Sequence, residues 1–142
     1  MNIDGVKNGI VLDHITAGRA MEIYRHLDLD DLDCCVAIIK NVESKKKGKK
    51  DILKVDAEID IDLDMLGFLD PNITVNIIKN EQRIEKKQLA LPQLLRNVIT
   101  CSNPRCITGV EQEIDHIFEL SDPEAGVYRC SYCETAYEGR NG

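Results

Sequence analysis

Four cysteines in the last third of the chain have the spacing of a metal site. Cys101 and Cys106 enclose four residues, and Cys130 and Cys133 enclose two. The enclosed residues are types that favour turns, so each pair can direct two sulfurs at one centre. Four thiolates bind Zn²⁺ as a closed tetrahedral site with no position for a substrate. The spacing predicts one structural zinc ion per chain; two disulfides, or four unrelated buried cysteines, are the alternatives.

A second group of polar residues falls on predicted strands nearer the amino terminus. Asp13 and His14 end the first of these strands, whereas Lys54 and Lys86 lie inside the third and the fifth. Lysine is depleted in strands, which favours positions facing solvent or a ligand. Lysine and protonated histidine attract phosphate, and aspartate accepts a hydrogen bond from a ribose hydroxyl. The group suits a nucleotide if the four side chains converge; a merely charged sheet edge is the alternative.

Apolar periodicity predicts the elements that must position these residues. We expect strands at 9–15, 34–42, 51–58, 73–78 and 82–87, a helix at 17–28, and a strand tail passing into a helix at 59–69. Thr16 and Asp62 are the expected helix caps. Residues 43–50 are expected to form a basic loop, and residues 34–42 a central strand. This order predicts a ferredoxin-like α+β fold, in which two helices cover one face of an antiparallel sheet.

Leu91 and Pro92 mark a predicted boundary between a domain of residues 1–91 and one of residues 92–142. In the second domain, short alternating segments at 114–120, 127–129 and 135–138 predict a small all-β, zinc-ribbon-like module. Some forty residues bury too little apolar surface to fold alone. Zinc is therefore expected to supply much of the folding free energy, on the order of ten kcal/mol.

Charge and composition disfavour several classes of protein. The chain has 142 residues and a net charge of −7, which argues against nucleic acid or an anionic membrane as partner. No apolar stretch approaches the roughly 18 residues of a membrane span. The first residues lack the pattern of a signal peptide, and six cysteines without one suggest a reducing compartment. We expect a cytoplasmic protein.

Two other functions compete with nucleotide binding as the role of the chain. A zinc ribbon that binds nucleic acid needs a basic face, but residues 101–142 carry three arginines, no lysine and eight acidic residues. A redox enzyme could use Cys130 and Cys133 as its reactive pair, yet their predicted partnership with Cys101 and Cys106 argues against it. An acidic ribbon favours docking on another protein.

The chain resembles the regulatory chains of aspartate carbamoyltransferase over nearly its full length. The likeness rests on residues 9–15 (GIVLDHI), 48–55 (GKKDILKV) and 74–76 (TVN), on the Leu91-Pro92 pair, and on the two cysteine pairs. Many ribbons share the cysteine spacing alone. All of these motifs, in this order and with near-equal gaps, are highly specific to the family.

The resemblance implies a non-catalytic chain with an amino-terminal allosteric domain and a carboxy-terminal zinc domain. In that family the allosteric domain binds ATP, CTP or UTP, and the zinc domain docks on the catalytic chain. Regulatory dimers bridge catalytic trimers that make carbamoyl aspartate for pyrimidine biosynthesis. CTP inhibits and ATP activates in the best-known members.

The resemblance also implies roles for individual residues. Asp13 and Lys54 match contacts to the ribose and base, and His14 and Lys86 match contacts to phosphate. Lys50 matches a further basic position near that pocket. The positions that match the lining of the base and ribose are Val6, Val11, Asn76 and Ile78.

Two features depart from the family pattern. Glu81 stands where familiar members have a tyrosine beside the base, and a carboxylate there could alter nucleotide preference. The segment before Gly9 is a few residues shorter than in those members. Contacts that a longer leader supplies, including any to a second nucleotide, are therefore open.

Overall fold

The computed structural model describes residues 5–45, 48–111 and 113–137. Residues 46 and 47 of the predicted basic loop, and Glu138 of the last predicted strand, lie outside this range. The chain divides into two compact units, residues 1–90 and residues 91–142. None of the described helices is long and apolar enough to cross a membrane.

The first unit has the element order and the sheet of a ferredoxin-like fold. Its strands pair antiparallel in the order β2-β3-β1-β4-β5, so β1 is central and β5 is an additional edge strand. This confirms the predicted fold class. The elements are β1 (Gly9–Thr16), α1 (Ala20–His26), β2 (Val36–Ser44), β3 (Gly48–Val55), α2 (Leu63–Leu69), β4 (Thr74–Lys79) and β5 (Gln82–Gln88).

The core of the first unit lies between the sheet and its two helices. Leu12 of β1, Leu53 of β3 and Val75 of β4 pack in one buried cluster with Ile23 of α1 and Leu66 of α2. Strand side chains alternate between faces, so the residues between these project to the other face of the sheet. That face carries a smaller buried cluster, the apolar patch, made of Val6, Val11, Ile52 and Ile78.

The two predicted helix caps have different outcomes. Asp62 caps α2 as predicted, because its carboxylate accepts from the backbone N–H groups of Asp64 and Met65 at 3.1 Å. Thr16 does not cap α1, which begins later, at Ala20, with no local side-chain cap. Instead the buried carboxylate of Asp51 accepts from the N–H groups of Gly18 at 2.9 Å and Ala20 at 3.2 Å. A residue distant in sequence replaces the local cap.

Strand β2 differs from its prediction in two ways. It begins at Val36, leaving Cys34 half-buried and Cys35 exposed before it. It is also an edge strand and not a central one, since only β3 pairs with it. The apolar run at 34–42 is compatible with an edge position, because an edge strand can also bury one of its faces against the core. The predicted basic loop is short, since β2 extends to Ser44 and β3 starts at Gly48.

The second unit contains a three-stranded antiparallel sheet in the order β6-β7-β8. Its strands are β6 (Leu94–Arg96), β7 (Ile117–Asp122) and β8 (Val127–Cys130). The predicted strands at 114–120 and 127–129 correspond to β7 and β8. The third strand predicted at 135–138 is wrong for the described residues, of which Ala136 forms only an isolated bridge to Arg129. The third strand of this sheet is instead β6, whose Leu95 is buried opposite Phe118 of β7.

Candidate functional site

The four cysteines of the second unit form one cluster. Turns after β6 and at the end of β8 bring all four sulfurs within 4.8 Å of one another. The Sγ atoms of Cys101 and Cys133 lie 3.4 Å apart, and those of Cys106 and Cys130 lie 3.7 Å apart. Disulfide sulfurs lie about 2.05 Å apart, so these thiols are unbonded. Four sulfurs at ~2.3 Å from one ion would lie ~3.8 Å apart, which this cluster fits.

Neighbouring groups donate hydrogen bonds to the sulfurs. The Thr108 hydroxyl lies 3.1 Å from the Cys106 sulfur, and the Asn103 N–H lies 3.4 Å from that of Cys101. Such donors orient metal ligands and stabilise their negative charge. The Cys133 thiol in turn donates to the Thr135 hydroxyl at 3.2 Å. Cys106 is also buried, as is Cys130, so the cluster suits a structural ion and not a catalytic one.

The thiols differ in how readily they ionise without a metal. Burial raises the pKa of Cys130, and burial together with neighbouring thiols raises the pKa of Cys101 to about 12. Hydrogen bonds with Thr135 lower the pKa of Cys133 to about 6. Four adjacent thiolates need a compensating positive charge, which a bound metal cation supplies.

In the first unit, a small cleft gathers most of the predicted nucleotide-binding residues. It has a volume of about 180 Å³ and lies on the sheet face away from the helices. Five of the nine predicted residues line it, and three others belong to the adjoining apolar patch. The lining consists of Asp13, His14, Lys50, Thr74, Asn76, Arg83 and Lys86. The patch contains Val6, Val11 and Ile78.

Strand register explains why these residues share a face. Lys54, Val11, Asn76 and Lys86 are successive partners across β3, β1, β4 and β5. The ninth predicted residue, Lys54, therefore lies in the same cross-strand row as three of the others. Its side chain is buried.

A bulge in β1 brings two adjacent residues to the cleft. The register of β1 against β3 shifts between Leu12 and Ile15, and His14 has a φ of 58° in the left-handed region. Such a bulge re-aims one side chain. Asp13 faces Thr74 across the sheet, and the Nδ1 atom of His14 lies 3.2 Å from the Thr74 hydroxyl. Asp13 and His14 thus line one cleft although they are neighbours in the strand.

An ion pair neutralises one acid of the cleft. The Lys50 ammonium lies 2.9 Å from the Asp13 carboxylate, which also accepts from the His14 N–H at 2.7 Å. Burial alone would raise the pKa of Asp13, but these hydrogen bonds and the charges of His14 and Lys50 lower it overall. Asp13 therefore stays ionised and keeps acceptor capacity for a ligand hydroxyl.

Asn76 contributes a buried acceptor with no partner among the described residues. Its side-chain amide donates to the Val11 carbonyl at 3.2 Å, whereas its Oδ1 atom accepts no hydrogen bond. An unsatisfied buried polar atom costs about 1–3 kcal/mol. A hydroxyl or amine of a ligand in the cleft would satisfy this oxygen.

Thr74 and Arg83 line the cleft but were not predicted from the sequence. Alternation from Asn76 would have placed Thr74 on the same face, so that signal was present. Alternation from Lys86 places Arg83 on the opposite face, so nothing in the sequence indicated it. Glu81 is exposed at the β4–β5 turn and is not among the lining residues of the cleft.

Comparisons with known proteins agree with this geometry. The family model for the allosteric domain of the aspartate carbamoyltransferase regulatory chain matches residues 1–90, and that for its metal binding domain matches residues 93–141. The regulatory chain of Clostridium acetobutylicum is 51% identical over 139 residues, which cover 98% of this chain and 95% of the relative. That of Clostridium botulinum is 50% identical over the same shares.

A more distant relative gives the same result. The regulatory chain of Bifidobacterium longum is 40% identical over 134 residues, covering 94% of this chain and 96% of the relative. Both units are matched, and the matches extend over nearly the whole length. The chain therefore belongs to the family of aspartate carbamoyltransferase regulatory chains, and it is a non-catalytic subunit.

Proposed function

We propose that this chain binds ATP, CTP and UTP in its first domain, residues 1–91, and thereby regulates aspartate carbamoyltransferase in pyrimidine biosynthesis. The observation that carries the proposal is the convergence of Asp13, His14 and Lys86 in one cleft beside the apolar patch. The family's allosteric domain, matched at residues 1–90, supports it. The reduced thiols of the second unit suit the cytoplasm, where this pathway would operate.

The cleft and the apolar patch would bind different parts of a nucleotide. A volume of about 180 Å³ is below the ~300–1,000 Å³ of typical ligand pockets, so the cleft takes the polar part of the molecule. His14 and Lys86 would contact phosphate oxygens, and Asp13 and Lys54 the ribose and base. The base would lie over the patch, where backbone groups near Val6 and Ile78 can read its edge. Backbone readout lets a purine and a pyrimidine share one site.

Regulation would follow from linkage. A nucleotide that binds one quaternary state of the enzyme better than the other shifts the population towards that state. Coupling free energies of this kind are typically about 1–3 kcal/mol. ATP and CTP would compete for the same cleft and bias the two states oppositely.

Calorimetric titration of the assembled enzyme tests the nucleotide site. Lys54→Ala and Lys86→Ala should each weaken CTP binding about tenfold or more, since hydrogen bonds to charged groups contribute about 1.5–3 kcal/mol. Arg25→Ala, an exposed position on α1 at the opposite sheet face, is the matched control and should leave CTP affinity unchanged. Unchanged affinity in both lysine variants would refute the assignment.

We further propose that the second domain, residues 92–142, binds one zinc ion and docks on the catalytic chain, with regulatory dimers bridging catalytic trimers. The metal binding domain of the family and the four-sulfur cluster support this. Removing zinc, or introducing Cys101→Ser, should release catalytic trimers, as sedimentation analysis would show. Cys35→Ser, exposed in the first unit, is the control. A complex that remains assembled after complete zinc removal would exclude this docking mechanism.

A further inference from the structure

We propose that Arg83 is a further ligand-binding residue of the first unit, which acts with Lys86 on the terminal phosphates of a nucleoside triphosphate. The inference rests on the proposed nucleotide site and extends it to Arg83, which regular strand alternation would place on the opposite face of the sheet. Three observations support it: a bulge in β5, the pairing of charges in the cleft, and the geometry of the guanidinium group.

The bulge determines which way Arg83 points. In the β4–β5 pairing, Asn76 faces Lys86 and Ile77 faces Glu85, but Ile78 faces Arg83. Ile84 has no partner in this register, and its side chain is 60% exposed. Residues three apart on a regular strand lie on opposite faces. The extra residue reverses this, so Arg83 and Lys86 line the same cleft.

The distribution of charge leaves the cleft cationic. Lys50 is paired with Asp13 at 2.9 Å, and that pair is internally neutral. Across the described residues, no carboxylate lies within ion-pair distance of Arg83 or Lys86. Among the described residues, two cations of one edge strand therefore face one cleft without a compensating anion. A polyanionic ligand supplies the missing charge.

Arginine and lysine suit different phosphate contacts. Guanidinium is a planar fork that binds phosphate oxygens in pairs, whereas ammonium acts as a point charge. The groups that share the cleft with Arg83 are polar, among them His14, Thr74 and Asn76. This surrounding favours a phosphate contact for Arg83 over stacking on a base. Charged residues also protect exposed edge strands from aggregation, and the test separates that role from ligand binding.

The test is calorimetry of the holoenzyme with ligands that differ only in phosphate number. Arg83→Gln should weaken CTP binding about tenfold and change CMP binding less than about twofold, because CMP lacks the terminal phosphates. Arg83→Lys should recover part of the CTP affinity. Arg25→Gln removes the same charge from the opposite side of the sheet and should change neither affinity. Equal losses for CTP and CMP, or no loss for CTP, would overturn the inference.

Inorganic triphosphate separates failure of this inference from failure of the proposed nucleotide site. If the wild-type enzyme binds neither CTP nor ATP, the nucleotide proposal fails. Tenfold weaker binding of inorganic triphosphate by Arg83→Gln would then still support a polyphosphate role for Arg83. If the wild type binds neither these nucleotides nor inorganic triphosphate, both proposals are overturned. A thermal unfolding midpoint unchanged in Arg83→Gln confirms that the exposed substitution leaves the fold intact.

Discussion

The two units differ in the relation between their buried cores and their candidate functional residues. In the described part of the first unit, eleven buried apolar residues pack between the sheet and its helices. The candidate ligand-binding residues lie on the other sheet face or at its edge. In the second unit, the buried set is small, and two candidate metal ligands, Cys106 and Cys130, belong to it. Stability and binding are thus separable in the first unit and joined in the second.

The difference follows from size and from secondary structure. Five strands and two helices create two sheet faces, so apolar residues can occupy one face and charged residues the other. Three short strands in about fifty residues bury too little apolar surface for independent stability. Metal ligation supplies the remainder, and folding then requires the same four sulfurs that bind the ion. The comparison predicts opposite responses of the units to four perturbations.

Metal removal should have the largest effect. Chelation, or Cys106→Ser, is expected to unfold the second unit, since metal binding contributes on the order of ten kcal/mol. The first unit has its own core and should stay folded. Amide hydrogen exchange would show loss of protection in β6–β8 with β1–β5 unchanged. Protection retained in β7 and β8 of a fully metal-free protein would contradict the comparison.

The control for this experiment lies in the first unit. Cys35 is exposed and precedes β2, so Cys35→Ser removes a thiol without touching the cluster. Metal content measured by elemental analysis should remain at one ion per chain in this variant. Loss of metal from Cys35→Ser would mean that the cluster is not the binding site.

A core truncation tests the converse. Leu53 is fully buried in the first unit, and Leu53→Ala should reduce the free energy of unfolding of that unit by about 2–5 kcal/mol. Metal content should be unaffected. Denaturant unfolding followed together with metal release distinguishes the two units. If Leu53→Ala released the metal, the units would not be independent.

A turn substitution should have a smaller effect of opposite sign. Asn80 and Glu81 join β4 to β5 with φ values of 53° and 65°, both in the left-handed region. Two-residue hairpin turns of this kind favour Asn-Gly, and the left-handed conformation costs a side-chain residue about 1 kcal/mol. Glu81→Gly should stabilise the first unit by about that amount in denaturant unfolding. Glu81→Gln keeps the backbone strain and should not; equal gains in both variants would point to charge instead.

Sequence reasoning succeeded where a local pattern determines the structure. Runs of apolar residues predict β1 and β4, and cysteine spacing alone predicts the cluster of Cys101, Cys106, Cys130 and Cys133. Asp62 was identified as a helix cap because its partners lie two and three residues away. In each case the interacting groups are close in sequence or repeat with a fixed period.

The sequence does not predict features that depend on contacts between residues distant in sequence. Asp51 of β3 accepts hydrogen bonds from the backbone at the start of α1, and no local pattern around Thr16 indicates this contact. The edge position of β2 depends on which strands pair, and its apolar content does not specify this. The bulge in β1 brings His14 into the cleft, and the bulge at Ile84 in β5 brings in Arg83. Bulges depend on the register of both strands, so the sequence of one strand does not show them.

The smallest expected effect is on the pH dependence of stability, in which the two units should also differ. The pKa of Asp13 is lowered in the folded protein, chiefly because the Lys50 and His14 contacts outweigh burial. A lowered pKa contributes stability above the unfolded value of about 3.9, and this is lost as pH falls through the folded value. Wild-type stability of the first unit should therefore fall more steeply below about pH 4 than that of Asp13→Asn.

The second unit should respond at higher pH, because protonation of the thiolates competes with metal binding. Acid titration is therefore expected to release metal and unfold the second unit first, with the Asp13 contribution lost only afterwards. Metal release and unfolding of each unit can be followed from pH 7 to pH 3. Parallel stability curves for wild type and Asp13→Asn would show that the Lys50 pair contributes nothing. Simultaneous loss of both units would show that one core, and not two, sustains the chain.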